Sequence, residues 1–217
     1  MTVRAGKTTT HRAPRASAPR PEALPVEAVI FDLGDTLLDE GKGWFSDEPL
    51  LPGVRRALGE LDPQYRLAVL SNTRAATRSD ISVELDRLGI GRHFRAIVTS
   101  TDIGWRKPHP LAFEAALAAL QSTAGTCVMV GNELDADVAG AKAMGMRTVH
   151  FRWSPRYRLD PSSEEERATV TIEEFDEVPV AIERARGEPS PPRTAVIREE
   201  SLFREGLEEK EEEKHAV

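Results

Sequence analysis

The chain has 217 residues, of which 40% are hydrophobic, and its 29 Lys and Arg against 36 Asp and Glu give a formal charge of −7. This length supports one sizeable core rather than two large domains, and the scattered basic residues offer no face suited to a nucleic-acid backbone. The single cysteine, Cys127, excludes an intramolecular disulfide and a cysteine-based zinc site. No apolar stretch is long enough to cross a bilayer. We therefore expect a cytoplasmic protein whose partners include neither nucleic acid nor a membrane.

The two ends of the chain differ in composition from the rest. Residues 1–25 contain five basic groups, one acid and no aromatic residue, which predicts a disordered basic arm because such a segment buries too little apolar area to order itself. Residues 187–217 begin with a run rich in Pro and Ser and end in nearly continuous charge, which predicts a charged, mostly disordered tail. Residues 26–186 remain as one domain.

Within this domain, short apolar runs alternate with longer segments of helical period. In chain order the predicted elements are a strand Val26–Phe31, a helix Val54–Leu61, a strand Arg66–Leu70, a helix Thr73–Leu88, a strand Arg95–Val98, a helix Pro108–Leu120, a strand Thr126–Val130, a helix Leu134–Met144, and strands Arg147–Phe151 and Ala168–Ile172. Pro108 suits a first helical position and Gly145 a C-terminal stop. The alternation predicts an α/β fold with a mainly parallel sheet and crossover helices.

Polar side chains follow several of the predicted strands. Asp32 follows the first strand, Ser71 and Asn72 the second, and Asn132 the fourth, while Lys107 lies in a loop that opens a helix. Ligands of open α/β sheets bind along the edge formed by the carboxyl ends of the strands. A carboxylate that attacks a phosphate needs a lysine and a metal cation to cancel the repulsion, and hydroxyl donors for the phosphate oxygens. The set therefore suits phosphoryl transfer to a carboxylate.

Four segments resemble the motifs of a known family. They are Phe31-Asp32-Leu33-Gly34-Asp35-Thr36-Leu37, Leu70-Ser71-Asn72, Arg106-Lys107-Pro108, and Val130-Gly131-Asn132 with Asp137-Val138-Ala139-Gly140-Ala141 following. In this order, over residues 26–150, they resemble the four motifs of the haloacid dehalogenase-like (HAD) hydrolase superfamily. The resemblance implies a Rossmann-like three-layer α/β/α fold, a Mg²⁺ cofactor and, most often, phosphatase chemistry through an aspartyl-phosphate.

The resemblance also implies roles for individual residues. It places the nucleophile at Asp32 and the catalytic phosphate-binding groups at Ser71 and Lys107, with Thr36 and Asn72 as further substrate-binding residues. The implied magnesium ligands are Asp32, the backbone carbonyl of Gly34, Asn132 and Asp137.

Two positions depart from the family's phosphatase pattern. Gly34 stands where the family has a second aspartate, which protonates the leaving group, and Asn132 stands where it has a metal-binding aspartate. Asp35 is one place too late, and adjacent residues of an extended segment point to opposite sides, which argues against a simple replacement. A general acid contributes about 10² to 10⁴ in rate, so activated esters remain possible substrates. Dehalogenases and phosphonate hydrolases of the family share the lack of the second aspartate.

The spacing of the motifs leaves no room for a separate cap domain, because only residues 39–53 separate the first motif from the next helix. Uncapped members of the family take large substrates or close the site with a neighbouring subunit, so a homo-oligomer is one expected alternative. Trp44 and Phe45 could form a flap over the entrance, although covering the sheet edge is the simpler interpretation. For Trp153, Arg156 and Tyr157, which follow the fifth strand, packing is likewise simpler than lining the site.

Three functional hypotheses follow. The first is a magnesium-dependent HAD-like phosphatase acting on a phosphorylated small molecule or macromolecule. The second is a catalytically weak HAD scaffold that binds a phosphorylated ligand or a protein partner, motivated by Gly34 and Asn132. The third is a phospho-accepting receiver domain, which would carry its acceptor on a middle strand, whereas Asp32 ends the first predicted strand.

Overall fold

The computed structural model describes residues 24–43 and 46–194. The strands in this part of the chain are β1 Ala28–Phe31, β2 Arg66–Ser71, β3 Phe94–Thr99, β4 Cys127–Gly131, β5 Arg147–Phe151 and β6 Val170–Ile172. The α-helices are α1 Val54–Leu61, α2 Arg78–Arg87, α3 Ser100–Ile103, α4 Pro110–Ala119, α5 Gly140–Ala143 and α6 Val178–Arg186, and a π-helix over Leu134–Ala139 leads into α5.

The six strands form one parallel sheet in the order β3-β2-β1-β4-β5-β6. Phe31, the last residue of β1, pairs with Val69 of β2 on one side and Val130 of β4 on the other. The chain runs outwards from β1 to β3 and then crosses back to begin again at β4. The carboxyl end of β1 therefore lies at the point where the winding reverses, which is where ligands bind in sheets of this kind.

Helices cover both faces of the sheet. Val29 and Phe31 of β1 pack with buried residues of α1, α2 and α6, whereas Ile30 packs on the opposite face with residues of α4 and α5. Cys127 is buried on the α4 face, as expected for a small apolar side chain. The three-layer α/β/α prediction is confirmed, and between β1 and β3 the described residues form no second domain.

The predicted strands all occur, with ends within two residues of the predictions, but two helix starts were wrong. The second helix begins at Arg78 rather than at Thr73, because Thr77 caps it: the Thr77 hydroxyl accepts the Asp80 N–H and the Asp80 carboxylate accepts the Thr77 N–H. The helix predicted from Pro108 begins at Pro110 instead. Pro108 lies outside the helix and follows Lys107 across a cis peptide bond.

Two helical features differ further from the prediction. The segment Leu134–Met144 divides into the π-helix and α5, and Gly145, at φ 86°, ends it as predicted. Helix α6 was missed, although its buried residues Val178, Ala181, Ile182 and Ala185 have the spacing of one helical face. A proline in its first turn was a further available signal.

Several sequence predictions fall wholly or partly outside the described residues. These are the basic arm up to residue 23, the flap residues Trp44 and Phe45, and the tail from residue 195 onwards. The described start of the tail lies against the domain: the Thr194 N–H donates to the Ala143 carbonyl (2.9 Å) and the Ser190 hydroxyl to the Gly125 carbonyl (3.1 Å). No helix in the described ranges has the length and apolar character needed to span a membrane.

Candidate active site

A buried ammonium group joins two carboxylates at the carboxyl edge of the sheet. The Lys107 Nζ atom donates to Asp32 Oδ1 and to Asp137 Oδ1, each at 2.6 Å. Asp32 directly follows β1 and Asp137 lies in the π-helix after β4, so two neighbouring strands bring these carboxylates together. All three side chains are almost completely buried. The structure therefore places three of the predicted site residues in direct contact.

Burial dominates the electrostatics of this cluster. It raises the pKa of Asp32 to about 6, and the neighbouring Asp137 charge adds to that rise, although Lys107 opposes it. The two carboxylates raise the pKa of Lys107 and outweigh the effect of burial. The lysine therefore stays charged, and it is the group that makes two buried carboxylates tolerable side by side.

Hydrogen bonds to its own backbone groups hold Lys107 in place, in addition to the ion pairs of its side chain. The Asn72 side chain accepts the Lys107 N–H (2.7 Å) and donates to the Lys107 carbonyl (2.9 Å). A β-carbon on Gly140 would lie 2.8 Å from the Phe113 ring and 2.9 Å from the Pro108 β-carbon. The start of α5 can thus approach the Lys107-Pro108 segment this closely only because residue 140 is glycine.

The Asn132 amide lies beside the Asp32 carboxylate. With its nitrogen facing the site, it donates to Thr36 Oγ1 (3.0 Å), the Gly34 carbonyl (3.2 Å) and Asp32 Oδ2 (3.2 Å); the opposite orientation keeps only the Thr36 bond. The nitrogen-facing orientation satisfies more acceptors. Both oxygens of Asp32 are then bound, one by Lys107 and one by Asn132, which fixes the plane of the carboxylate. The backbone carbonyl of Asn132 lies 3.2 Å from His150 Nε2 of β5.

The groups around Asn132 fit a hard divalent cation. Asp32, the Gly34 carbonyl, the Asn132 side chain and Asp137 supply only oxygen ligands when the amide turns its oxygen inwards, and oxygen ligands are what Mg²⁺ prefers. Among the described residues there is no group of three or more His, Cys, Asp and Glu side chains arranged for a metal. A magnesium site here therefore depends on the backbone carbonyl and the neutral amide, and it carries one negative charge fewer than with aspartate at position 132.

Ser71 and Thr36 complete the predicted set. Ser71 is buried at the end of β2, next to β1 in the sheet, and Thr36 is buried against Asn132. The structure thus brings the predicted residues to one edge of the sheet. Asn72 differs in character from the others, because its amide is engaged with the backbone of Lys107.

Asp35 is turned towards a different partner. Its carboxylate accepts two hydrogen bonds from the Arg156 guanidinium and one from the Glu40 N–H (3.0 Å), and its carbonyl accepts the Trp153 indole N–H (2.6 Å). These contacts bind the loop after β1 to the loop after β5. Trp153 and Arg156 therefore pack on this loop, and Asp35 is bound to an arginine rather than placed beside Asp32 as a substitute for the missing aspartate.

Glu40 occupies the space in front of Gly34, which sequence reasoning did not find. A β-carbon on Gly34 would lie 2.7 Å from the Glu40 Cδ and closer still to Glu40 Oε1. The Tyr157 hydroxyl approaches the other carboxylate oxygen at 3.4 Å. Burial of the carboxylate raises the pKa of Glu40, and the charges of Asp35 and Asp32 raise it further. Burial and the Asp137 charge likewise raise the pKa of Glu133 to about 7.

Known proteins are similar to this chain in sequence and in fold. The profile of a family described as haloacid dehalogenase-like hydrolase matches residues 46–151. Ribulose-1,5-bisphosphate 5-phosphatase of Halopiger xanaduensis is 34% identical over 128 residues, which are 58% of this chain and 52% of that protein. Over these residues the chain is similar to the haloacid dehalogenase-like hydrolases.

Further members of the HAD superfamily extend the comparison. Glyceraldehyde 3-phosphate phosphatase of Methanopyrus kandleri is 36% identical over 146 residues, covering 67% of this chain and 59% of that protein. The chain spans about half the length of the curated relatives it matches. The crystal structure of an uncharacterized protein from Listeria monocytogenes serotype 4b has a TM-score of 0.63 at 24% identity and covers 74% of this chain and 99% of that one; at this identity the likeness concerns the fold alone.

Proposed function

We propose that this protein is a magnesium-dependent phosphatase that works through an aspartyl-phosphate on Asp32. The observation that carries the proposal is the buried Lys107 ammonium group, 2.6 Å from Asp32 and from Asp137 at the reversal point of the sheet. A fully buried ion cluster of this kind is costly to maintain. Its place at the ligand-binding edge favours a functional role over a purely structural one.

The chemistry follows from how Asp32 is held. Lys107 binds one of its oxygens, so the carboxylate is oriented before a substrate arrives, which reduces the entropic cost of attack. An anionic phosphate repels a carboxylate, and the buried ammonium reduces that repulsion where the dielectric is low. When bound, Mg²⁺ supplies further positive charge against the phosphate oxygens.

Three other residues support the phosphate in this proposal. Ser71 offers a hydroxyl donor at the end of the neighbouring strand, and Thr36 orients the Asn132 amide. Asn72 was expected to bind substrate, but its two bonds to the Lys107 backbone support a positioning role. We assign Asp32, the Gly34 carbonyl, Asn132 and Asp137 to the magnesium ion.

The relatives suggest where to look for a substrate. Those named above are called phosphatases of ribulose-1,5-bisphosphate and of glyceraldehyde 3-phosphate. We propose that this protein takes a phosphorylated substrate of the same broad chemistry, and we would begin a screen with small sugar phosphates before phosphorylated macromolecules.

The experiment is hydrolysis of p-nitrophenyl phosphate with Mg²⁺ or with EDTA, by the wild type, Asp32→Asn and Asp47→Asn. The first variant keeps the shape of the nucleophile and removes its reactivity, and the second makes the same change at an exposed aspartate. We expect turnover that needs Mg²⁺, is lost in Asp32→Asn and is kept in Asp47→Asn. A wild type no faster than Asp32→Asn would refute the phosphatase proposal and favour the binding scaffold that Gly34 and Asn132 suggest.

A further inference from the structure

The loop after β1 folds back on itself. The N–H groups of Leu37 and Leu38 both donate to the Leu33 carbonyl (2.9 and 3.0 Å), and the Asp35 N–H donates to the Leu38 carbonyl (2.6 Å). Asp35 sits at φ 50° to make this turn, and Gly34 and Leu38 form a bridge. The tight turn returns the chain past Gly34 just before residue 40.

This return brings the Glu40 carboxyl group to the side of the chain on which Asp32 lies. Phe31 and Leu33 both pack in the same core cluster, so Asp32 and any side chain at position 34 point to the opposite side. The Glu40 carboxyl group lies where that side chain would begin, because a β-carbon on Gly34 would be 2.7 Å from Glu40 Cδ.

Two contacts keep Glu40 there. Its backbone N–H donates to Asp35 Oδ1 (3.0 Å), and Asp35 is itself fixed by Arg156. Its carboxylate receives the Tyr157 hydroxyl at 3.4 Å. Glu40 is an exposed residue, so its carboxyl group can reach a substrate that enters along the edge of the sheet. A carboxyl group from later in the chain thus occupies space that a side chain at position 34 would need.

We propose that Glu40 is the general acid and base of the reaction; this inference rests on the proposed phosphatase function. An oxygen of Asp32 attacks phosphorus as the bond from phosphorus to the leaving oxygen breaks. The leaving oxygen takes that electron pair and the Glu40 proton, which gives the free alcohol, the aspartyl-phosphate and a Glu40 carboxylate. Water then attacks phosphorus, Glu40 accepts its proton, and the bond to Asp32 breaks to release inorganic phosphate.

The test compares aryl phosphates of similar shape whose leaving groups differ in their need for a proton: p-nitrophenyl, phenyl and p-methylphenyl phosphate. The variants are Glu40→Gln and, as a matched control in the same loop, the exposed Glu48→Gln. The parameter is kcat/KM, because it covers steps only up to the first irreversible cleavage. For Glu40→Gln we expect a loss of about 10² to 10³ on phenyl and p-methylphenyl phosphate and less than about threefold on p-nitrophenyl phosphate. Glu48→Gln should match the wild type on all three.

The later half of the reaction gives an independent signal. Without a base to activate water, Glu40→Gln should accumulate the aspartyl-phosphate and release a burst of p-nitrophenolate equal to the enzyme concentration, followed by slow turnover. A loss of kcat/KM that is equal across the three esters, or no loss, would overturn the role of Glu40 while leaving the phosphatase proposal intact. A wild type without turnover on p-nitrophenyl phosphate would refute both.

Moving the carboxyl group from residue 40 to residue 34 tests whether the reaction needs a carboxyl group in this space. Gly34 is not one of the glycines with a left-handed backbone, and removing the Glu40 side chain frees the space beside it. Gly34→Asp combined with Glu40→Ala should therefore recover at least about tenfold of the phenyl phosphate activity lost in Glu40→Ala, a fraction of the full effect of a general acid. A folded double variant as slow as Glu40→Ala would contradict the requirement for a carboxyl group in this space.

Discussion

Replacing Lys107 by methionine should lower the free energy of unfolding of the domain, because it leaves two buried carboxylates facing each other. Asp32 Oδ1 and Asp137 Oδ1 each lie 2.6 Å from the same nitrogen, so they are no more than about 5 Å apart, and two charges at that distance repel by roughly 3 kcal/mol at an effective dielectric constant of about 20. Breaking a buried ion pair by removing one partner typically costs about 3–5 kcal/mol. We expect a loss in this range without Mg²⁺ at about pH 9, because removing Lys107 raises the pKa of Asp32 further above about 6 and a neutral solution would largely protonate this carboxylate.

The assay is urea unfolding in EDTA, supported by the melting temperature. For a domain of this size each kcal/mol corresponds to about 2–4 °C, so Tm should fall by roughly 6–20 °C. Lys42→Met is the matched control, because Lys42 is exposed and its ammonium donates to the Glu48 carbonyl (3.3 Å), and a surface change of this kind should stay within about 0.5 kcal/mol.

A second variant separates charge from volume. Asp137→Asn added to Lys107→Met removes one of the two like charges. An asparagine oxygen can still accept the Glu133 N–H, which donates to Asp137 in the wild type (3.0 Å). We expect the double variant to be more stable than Lys107→Met by at least about 1.5 kcal/mol, about half of the repulsion worked out above. The reasoning is refuted if Lys107→Met costs less than about 1 kcal/mol, or if the second substitution destabilises it further.

Three further predictions test the metal site, the close approach of α5, and one ion pair. Asn132→Asp should lower the Mg²⁺ concentration for half-maximal turnover by about tenfold, or roughly 1.4 kcal/mol, in a titration with p-nitrophenyl phosphate; an unchanged midpoint would remove this residue from the metal site. Gly140→Ala should cost about 1–3 kcal/mol in urea unfolding through overpacking, whereas Gly59→Ala, with open space beside it in α1, should gain about 0.5–1 kcal/mol; equal effects would contradict the crowding argument. The Arg158 guanidinium lowers the pKa of Glu166 to about 2, so this pair stabilises the fold above pH 4.5 and stops doing so as the pH falls towards 2. The Tm of Glu166→Gln should accordingly lie below that of the wild type at pH 7 and converge with it near pH 2, and a constant difference across this range would argue against the pair.

The sheet and the cluster at its edge were predictable because both depend on local patterns. Each strand is a short apolar run, and a parallel sheet brings residues that follow different strands, such as Asp32 and Asn132, to one edge whatever the exact strand ends are. Helix boundaries were harder to predict from the sequence. The start of α2 is decided by the cap at Thr77, whereas the apolar period runs on into the preceding loop. Nothing in the sequence before α5 distinguishes a π-helix from an α-helix, since both place Asp137 on a helical turn.

The partners of Asp35 and Glu40 illustrate why the remainder could not be predicted. Alternation along an extended segment was enough to argue that Asp35 does not share the side of Asp32, but its arginine partner lies far away in the sequence and meets it only through the fold. Glu40 depends on the turn at Asp35 and on the absence of a side chain at Gly34, which leaves room for its carboxyl group. Read along the chain, Gly34 therefore indicates a lost proton donor. In three dimensions the same glycine is what allows a carboxyl group to stand there, so a missing motif residue is weak ground for inferring a missing activity when the space it would fill is occupied by an equivalent group.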